Sequence, residues 1–191
     1  PEPAQRQAGR SGPARLLVVG GSQGARALNQ QVPAAVAQLP RELRPPIRHQ
    51  AGRTLELARR AYAAHGVAAE IVAFIDDMPA AYAWADLVIC RAGASTVAEL
   101  AASGSAAILV PYPHAVDDHQ RVNANYLAER GAARLIDEDE LTPQRLAAEL
   151  ARLLGDRPQL LAMAQRGRQA AWPDAAGAIA RACLQHARLA R

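Results

Sequence analysis

The stretch Leu16-Leu17-Val18-Val19-Gly20-Gly21-Ser22-Gln23-Gly24-Ala25 joins a run of branched apolar residues directly to a glycine-rich turn. Four apolar residues in a row read as a strand covered on both faces, and the residues from Ala25 to Gln38 have helical composition. A strand-to-helix turn of this kind suits an anion. Gly20 and Gly21 let the backbone approach without side-chain clash, Ser22 offers a hydroxyl, and the helix start presents unpaired N–H groups. The same residues also suit a tight turn that binds nothing. The loop is not the GxGxxG pattern of dinucleotide enzymes, and the second strand, around Ile47 to His49 in Ile47-Arg48-His49-Gln50, has no acidic residue at its end to hold an NAD ribose.

The unit recurs along the chain. Strands are expected at Leu16 to Val19, Ile47 to His49, Glu70 to Ala73, Leu87 to Cys90, Ala107 to Val110 and Ala133 to Ile136. Helical segments separate them at Ala25 to Gln38, Thr54 to His65, just after Met78, Thr96 to Ser103 and Asp117 to Arg130. From Thr142 the pattern is helical to about Leu189, with Trp172-Pro173 as a turn between helices. Alternating strand and helix predicts an α/β domain with a doubly wound parallel sheet. In such sheets ligands gather at the carboxyl ends of the strands, here after Val19, Ala73, Cys90 and Val110. Residues 1–14 read as a solvated lead-in or linker, and residues 15–191 as the domain.

Composition narrows the chemistry. The chain has 191 residues, half of them hydrophobic, with 46 Ala and no Lys, so all 22 basic residues are Arg. Schiff-base lysines, lysine general bases and the phosphate-loop lysine of Walker-type NTPases are excluded. The formal net charge is +4, but the arginines alternate with acids and form no run, so no nucleic-acid partner is expected. Cys90 and Cys183 lie far apart with no second Cys nearby, which spells neither a zinc site nor a redox pair. A reducing cytoplasm is the expected location. No stretch reaches the roughly 18 apolar residues of a membrane span, and the opening residues are too polar for a signal peptide.

Three further loops carry polar chemistry. Arg91-Ala92-Gly93-Ala94-Ser95-Thr96-Val97-Ala98-Glu99 repeats the logic of the first, so two helix starts could converge on one diphosphate. Glu99, on the first turn, suits either a ribose diol or simple complementation of the helix dipole. In Phe74-Ile75-Asp76-Asp77-Met78 the backbone suits the polar edge of a flat base, and the acids suit capping of the next helix. Pro111-Tyr112-Pro113-His114-Ala115-Val116-Asp117-Asp118-His119-Gln120 gathers two His, two Asp and a Gln within seven residues. Adjacent acids at a helix start are ordinary cap residues, so no metal is expected there. His119 and Gln120 suit sugar hydroxyls. Tyr82 and Trp84 read as packing residues, His49, His65 and His186 have no partners at metal spacing, and no nucleophile elbow is present.

Together, LLVVGGSQGARALNQ, FIDDMPAAYAWADLVICRAGASTVAELAASG, ILVPYPHAVDDHQRVNANYL and GAARLI resemble the C-terminal half of the MurG family of UDP-GlcNAc-dependent transferases. The resemblance runs in order from about Leu16 to the C-terminal helices. It implies a Rossmann-like domain of a GT-B glycosyltransferase that holds UDP-GlcNAc, with no metal or other cofactor. It also implies roles for single residues. Gly21, Ser22 and Gln23 belong to the diphosphate loop, and Ile75 holds the uracil through its backbone. Ala94, Ser95, Thr96, Val97 and Ala98 wrap the phosphates and ribose, Glu99 takes the ribose hydroxyls, and Gln120 reads the GlcNAc hydroxyls beside His119. Gly104-Ser105-Ala106-Ala107 departs mildly from the family's proline-containing turn.

Family members carry a second, N-terminal domain with the acceptor site for lipid I, a glycine loop containing the base, and the membrane-facing surface. The four motifs cover only the donor half, so no catalytic residue is expected in this chain, and alone it is expected to bind donor without transfer. The whole enzyme is implied to be peripheral on the cytoplasmic face of the inner membrane. Three other readings fit parts of the pattern: a subunit completed by a separate membrane protein, a non-catalytic UDP-sugar module, and a UDP-GlcNAc epimerase. The last would have to draw its acid and base from His114, His119 and nearby acids.

Overall fold

Alternation along the central strands determines the layers. In the computed structural model, which describes residues 2–189, β1 (Leu16–Val19), β2 (Ile47–Gln50), β3 (Glu70–Val72), β4 (Leu87–Cys90), β5 (Ala107–Leu109) and β6 (Ala133–Leu135) form one parallel sheet in the order β3-β2-β1-β4-β5-β6. Leu16 and Val18 of β1, Leu87 and Ile89 of β4 and Ile108 of β5 enter one apolar cluster. Leu17, Val88, Cys90, Ala107 and Leu109 enter the other. The period of two thus feeds two cores, which is why these strands carry no polar face.

Helices cover both sides. On the first face lie α2 (Arg26–Ala37), α3 (Leu55–Ala64), α7 (Pro143–Leu154) and α8 (Arg157–Gln169), through Leu28, Val32, Tyr62, Leu146, Leu150 and Leu160. On the second lie α4 (Met78–Trp84), α5 (Ala94–Ser103) and α6 (His119–Ala128), through Tyr82, Val97, Leu100, Ala124 and Leu127. A final helix, α9 (Ala175–Leu189), follows the turn at Trp172 and Pro173. The doubly wound expectation holds.

Residues 3–14 depart in part from the solvated lead-in read from their polarity. Pro3–Gln7 forms a short helix, α1, whose Pro3 is buried. Its Arg6 donates to the carbonyls of Ser103 at 2.6 Å and Gly104 at 2.5 Å, at the C-terminal end of α5. Arg168 donates to Ala102 O at 2.6 Å beside them. Two guanidinium groups thus satisfy the orphan carbonyls of α5 at the negative end of its dipole. Arg10 pairs with the buried carboxylate of Asp86, whose second oxygen accepts from Arg15 N at 2.9 Å. Hydropathy missed this docking because each arginine buries its stem and spends its charge on partners distant in sequence.

Behind β2 lies a buried polar cluster. His49 is bonded to Tyr62 Oη at 3.0 Å through Nδ1 and to Asn29 Oδ1 at 2.9 Å through Nε2. The Asn29 amide nitrogen donates to Thr54 Oγ1 at 2.7 Å, so its oxygen must accept from His49 Nε2–H. In the neutral ring with its proton on Nε2, Nδ1 accepts from the Tyr62 hydroxyl. Burial pushes its pKa down to about 3, from an ordinary 6.5.

Between those two values the unfolded chain binds a proton that the folded chain does not, so stability falls as pH drops through that window. Urea titrations between pH 7 and 5 should show a loss approaching about 1.4 kcal/mol per unit below the ordinary imidazole value. The pH slope of His49→Gln should be shallower by that amount. Arg10→Ala, which leaves the buried Asp86 carboxylate only Arg15 N and the more distant Arg157 guanidinium at 3.7 Å, should cost about 1–3 kcal/mol in the same assay.

Candidate functional site: a cleft at the strand switch point

Strand order reverses between β1 and β4: from β1 the chain winds outward to β2 and β3, and from β4 outward to β5 and β6. The turns after β1 and β4 therefore open in opposite directions and leave a crevice between them. Both candidate anion loops stand there.

The loop after β1 is fastened from beneath by residues 50–53. Gly20 N donates to Gln50 O at 2.9 Å, and Gly21 N to Gln50 Oε1 at 3.1 Å. Arg53 N donates to Ser22 O at 3.2 Å. A Cβ on Gly52 would lie 2.4 Å from Gly21 O, which shows how closely that carbonyl faces the platform. Because N–H and C=O point to opposite sides of a planar trans peptide, the N–H groups of Ser22 and Gln23 face away from it. Gly21, Ser22 and Gln23 are exposed, and α2 begins after Ala25 without a side-chain cap. The resulting concavity of outward N–H groups at a helix start favours negative charge.

The loop after β4 repeats the arrangement with different support. Gly93 precedes α5, again with no side-chain cap. Ala94, Ser95 and Thr96 keep the N–H groups that no intrahelical bond uses. Val97 departs from the expected phosphate contact: its side chain is 6 % exposed and its N–H closes the first helical bond to Gly93 O at 2.9 Å. Helix α5 starts two residues earlier than its sequence suggested, at Ala94, which turns Val97 into the core.

Glu99 is exposed on α5, and its Oε2 accepts from the Tyr82 hydroxyl at 2.9 Å. Tyr82 packs as expected in the second core, but its tip also orients a carboxylate, a role its spacing did not reveal. Burial and the neighbouring Cys90 and Glu99 raise the phenol's pKa, which keeps it a donor. Burial likewise pushes the Cys90 thiol up to about 12 and leaves it protonated.

The loops after β3 and β5 flank the crevice. Ile75 is half-buried against the second core beside an exposed Phe74, and Asp77 caps α4 by accepting from Ala80 N at 2.8 Å. After β5, Asp117 and Asp118 take left-handed backbone (φ 52° and 51°), a region Asp tolerates better than most residues. The expected capping does not occur at Asp118, which makes no cap hydrogen bond and pairs with Arg121 at 3.4 Å. Consequently α6 starts at His119. Gln120 Oε1 accepts from Ala92 N at 3.2 Å and Tyr112 N at 3.0 Å, tying the loops after β4 and β5 together. Asn123 adds a bond to Ala92 O at 3.1 Å. Among the described residues, no group of three or more His, Cys, Asp or Glu is arranged to hold a metal, and no helix is long and apolar enough to cross a membrane. An apolar groove of 810 Å³ continues from Ala94 and Ala98 past Tyr126 to the exposed Trp172.

The model of the glycosyltransferase family 28 C-terminal domain matches residues 15–179. The chain belongs to that family. Two relatives carry the name UDP-N-acetylglucosamine--N-acetylmuramyl-(pentapeptide) pyrophosphoryl-undecaprenol N-acetylglucosamine transferase. The one from Alkalilimnicola ehrlichii is 58% identical over 189 residues, 98% of this chain and 53% of its own length. The one from Azoarcus sp. is 60% identical over 182 residues, 95% of this chain and 51% of its own length. Among solved structures, Acinetobacter baumannii MurG superposes with a TM-score of 0.85 at 41% identity, over 94% of this chain and 52% of that one. This family 28 domain thus spans about half the length of the relatives it matches.

Two glycines separate backbone requirement from packing requirement. Gly21 (φ +77°) has nothing within 4 Å of a Cβ position, whereas a Cβ on Gly24 (φ +80°) would lie 2.1 Å from Thr54 Oγ1 and 2.6 Å from Ala51 O. Gly21→Ala should cost about 1–2 kcal/mol from its backbone alone. Gly24→Ala should cost clearly more, as read by urea denaturation.

Proposed function

We propose that this chain is the donor-binding half of an inverting glycosyltransferase that moves GlcNAc from UDP-GlcNAc to lipid I, making lipid II for peptidoglycan. The observation that carries the reading is the pair of uncapped starts of α2 and α5 on the two sides of the switch point, with the Glu99 carboxylate one turn further along α5. The transferase name carried by relatives that match nearly the whole chain at 58% and 60% identity supports the choice of donor.

In this reading the N–H groups of Ser22, Gln23, Ala94, Ser95 and Thr96, with the Ser22 hydroxyl, hold the diphosphate. Glu99 accepts from the ribose diol, using the oxygen that Tyr82 leaves open. The Ile75 backbone meets the uracil. His119 and the Gln120 amide nitrogen face the sugar, since the Gln120 oxygen is already taken by two backbone donors. As the glycosidic bond breaks, negative charge grows on the departing UDP, and fixed N–H dipoles stabilise it without reorganising. Inversion also needs a base on the acceptor hydroxyl, opposite the leaving group. That base, the acceptor domain and the contact with lipid I belong to the other half of the enzyme. Because lipid I is a membrane lipid and the donor is water-soluble, the whole enzyme works as a peripheral protein on the cytoplasmic face of the inner membrane, in the service of cell shape and division.

Calorimetric titration of the chain with UDP-GlcNAc, UDP-glucose and ADP-glucose should rank them in that order, and equal affinities would reject recognition of uracil and the N-acetyl group. Glu99→Ala should weaken UDP binding by about 1–3 kcal/mol, and Tyr82→Phe by about 0.5–1.5 kcal/mol. Unchanged affinity in Glu99→Ala would remove the ribose role.

A further inference from the structure

We infer that Gln50 is the positioning residue of the donor cleft: its carboxamide locks the loop after β1 to the loop after β3 and so sets the affinity for a nucleoside diphosphate. The inference rests on the donor-site reading above and adds to it a residue that never touches the ligand.

Gln50 is the last residue of β2 and is 6 % exposed. Its Oε1 accepts from Gly21 N at 3.1 Å, and its Nε2 donates to Ala73 O at 3.2 Å. The two partners fix the orientation of the amide, since one is a donor and the other an acceptor. Its own carbonyl takes Gly20 N at 2.9 Å. Residue 50 therefore draws two successive N–H groups of the loop inward. With Gly21 O turned toward Gly24 N and Gly52, and Ser22 O held by Arg53 N, the N–H groups of Ser22 and Gln23 point away from the platform. The second bond reaches the residue directly before Phe74 and Ile75, whose carbonyl also accepts from Gly52 N at 3.1 Å, so the Gln50 side chain adds to that backbone tie the one link that runs on to Gly21 N in the diphosphate loop.

The position also selects the class of ligand. In dinucleotide-binding sheets an acidic residue at the end of the second strand takes the ribose. Here the side chain is turned inward beneath the glycine loop. A carboxylate there would place a full negative charge directly under an anion cradle and would lose the bond to Ala73 O, because a carboxylate cannot donate. The ribose falls instead to Glu99, on the other side of the switch point.

The test is calorimetric binding of UDP to the wild-type chain, Gln50→Leu and Gln50→Glu between pH 8 and 5.5, with folding followed by circular dichroism. Gln50→Leu should bind about tenfold more weakly at every pH. Gln50→Glu should be weaker still at pH 8. Relative to wild type it should recover several-fold at pH 5.5, where a protonated acid again offers one acceptor and one donor. The ratio to wild type cancels the titration of UDP itself. Variants that fold and bind within twofold of wild type at all pH values overturn the inference. So does a pH-independent ratio for Gln50→Glu, which would mark a purely architectural side chain. If Gln50→Leu does not fold, Gln50→Met, which keeps the length but lacks both bonding atoms, takes its place. Failure of every Gln50 variant to fold even with UDP present likewise overturns a positioning role. A wild-type chain that binds no UDP is a separate outcome: it removes the donor-site reading, and the role of Gln50 falls with it.

Discussion

A trans peptide cannot turn its C=O and its N–H to the same side, and the cleft of this protein depends on that constraint. With Gly20 N and Gly21 N drawn to Gln50, Gly21 O turned toward Gly24 N and Gly52, and Ser22 O held by Arg53 N, the N–H groups of Ser22 and Gln23 face away from the platform. The arrangement tolerates no Cβ where the two segments touch, at Gly24 and Gly52, because each would meet backbone atoms of the other segment within 2.6 Å. The buried cluster of His49, Asn29, Tyr62 and Thr54 supports the same platform from behind. The apolar core, the polar cluster and the loop are successive layers under one anion-facing surface.

The absence of lysine acquires a structural meaning. The arginines that the structure brings inward act mainly on carbonyl oxygens. Arg6 and Arg168 finish the C-terminal end of α5, Arg44 holds Leu39 O and Ala37 O after α2, and Arg91 reaches Val110 O and Pro111 O beyond β5. A planar guanidinium can bridge two such acceptors at once, which an ammonium does less well. In the functional reading proposed here, the diphosphate is met by neutral N–H dipoles at the positive ends of α2 and α5. The guanidinium groups at the far end of α5 satisfy its negative end.

Much of the fold was legible because it rests on local patterns. Runs such as Leu16 to Val19 and Leu87 to Cys90 carry their burial on both faces in their composition, and glycine stops such as Gly66 and Gly104 mark helix ends. The four loops could be placed at strand ends for the same reason. Single residues were less legible. Val97 looked available until the start of α5 at Ala94 spent its N–H, and Asp117-Asp118 looked like a cap until both took left-handed backbone. Tyr82 looked like packing alone, since its bond to Glu99 joins residues 17 apart that share only the space between α4 and α5.

The sequence by itself determined the alternation of strand and helix, the two-sided burial of the sheet, and the presence of two small-residue loops suited to anions. These depend on side-chain period and on glycine, which act within a few residues. Only the tertiary structure decided that the two loops stand on either side of the reversal in strand order, that α1 docks on α5 and α8, and that Gln50 turns inward under Gly21. Those outcomes depend on hydrogen bonds and ion pairs between residues 23 to 166 positions apart, whose partners no local pattern specifies.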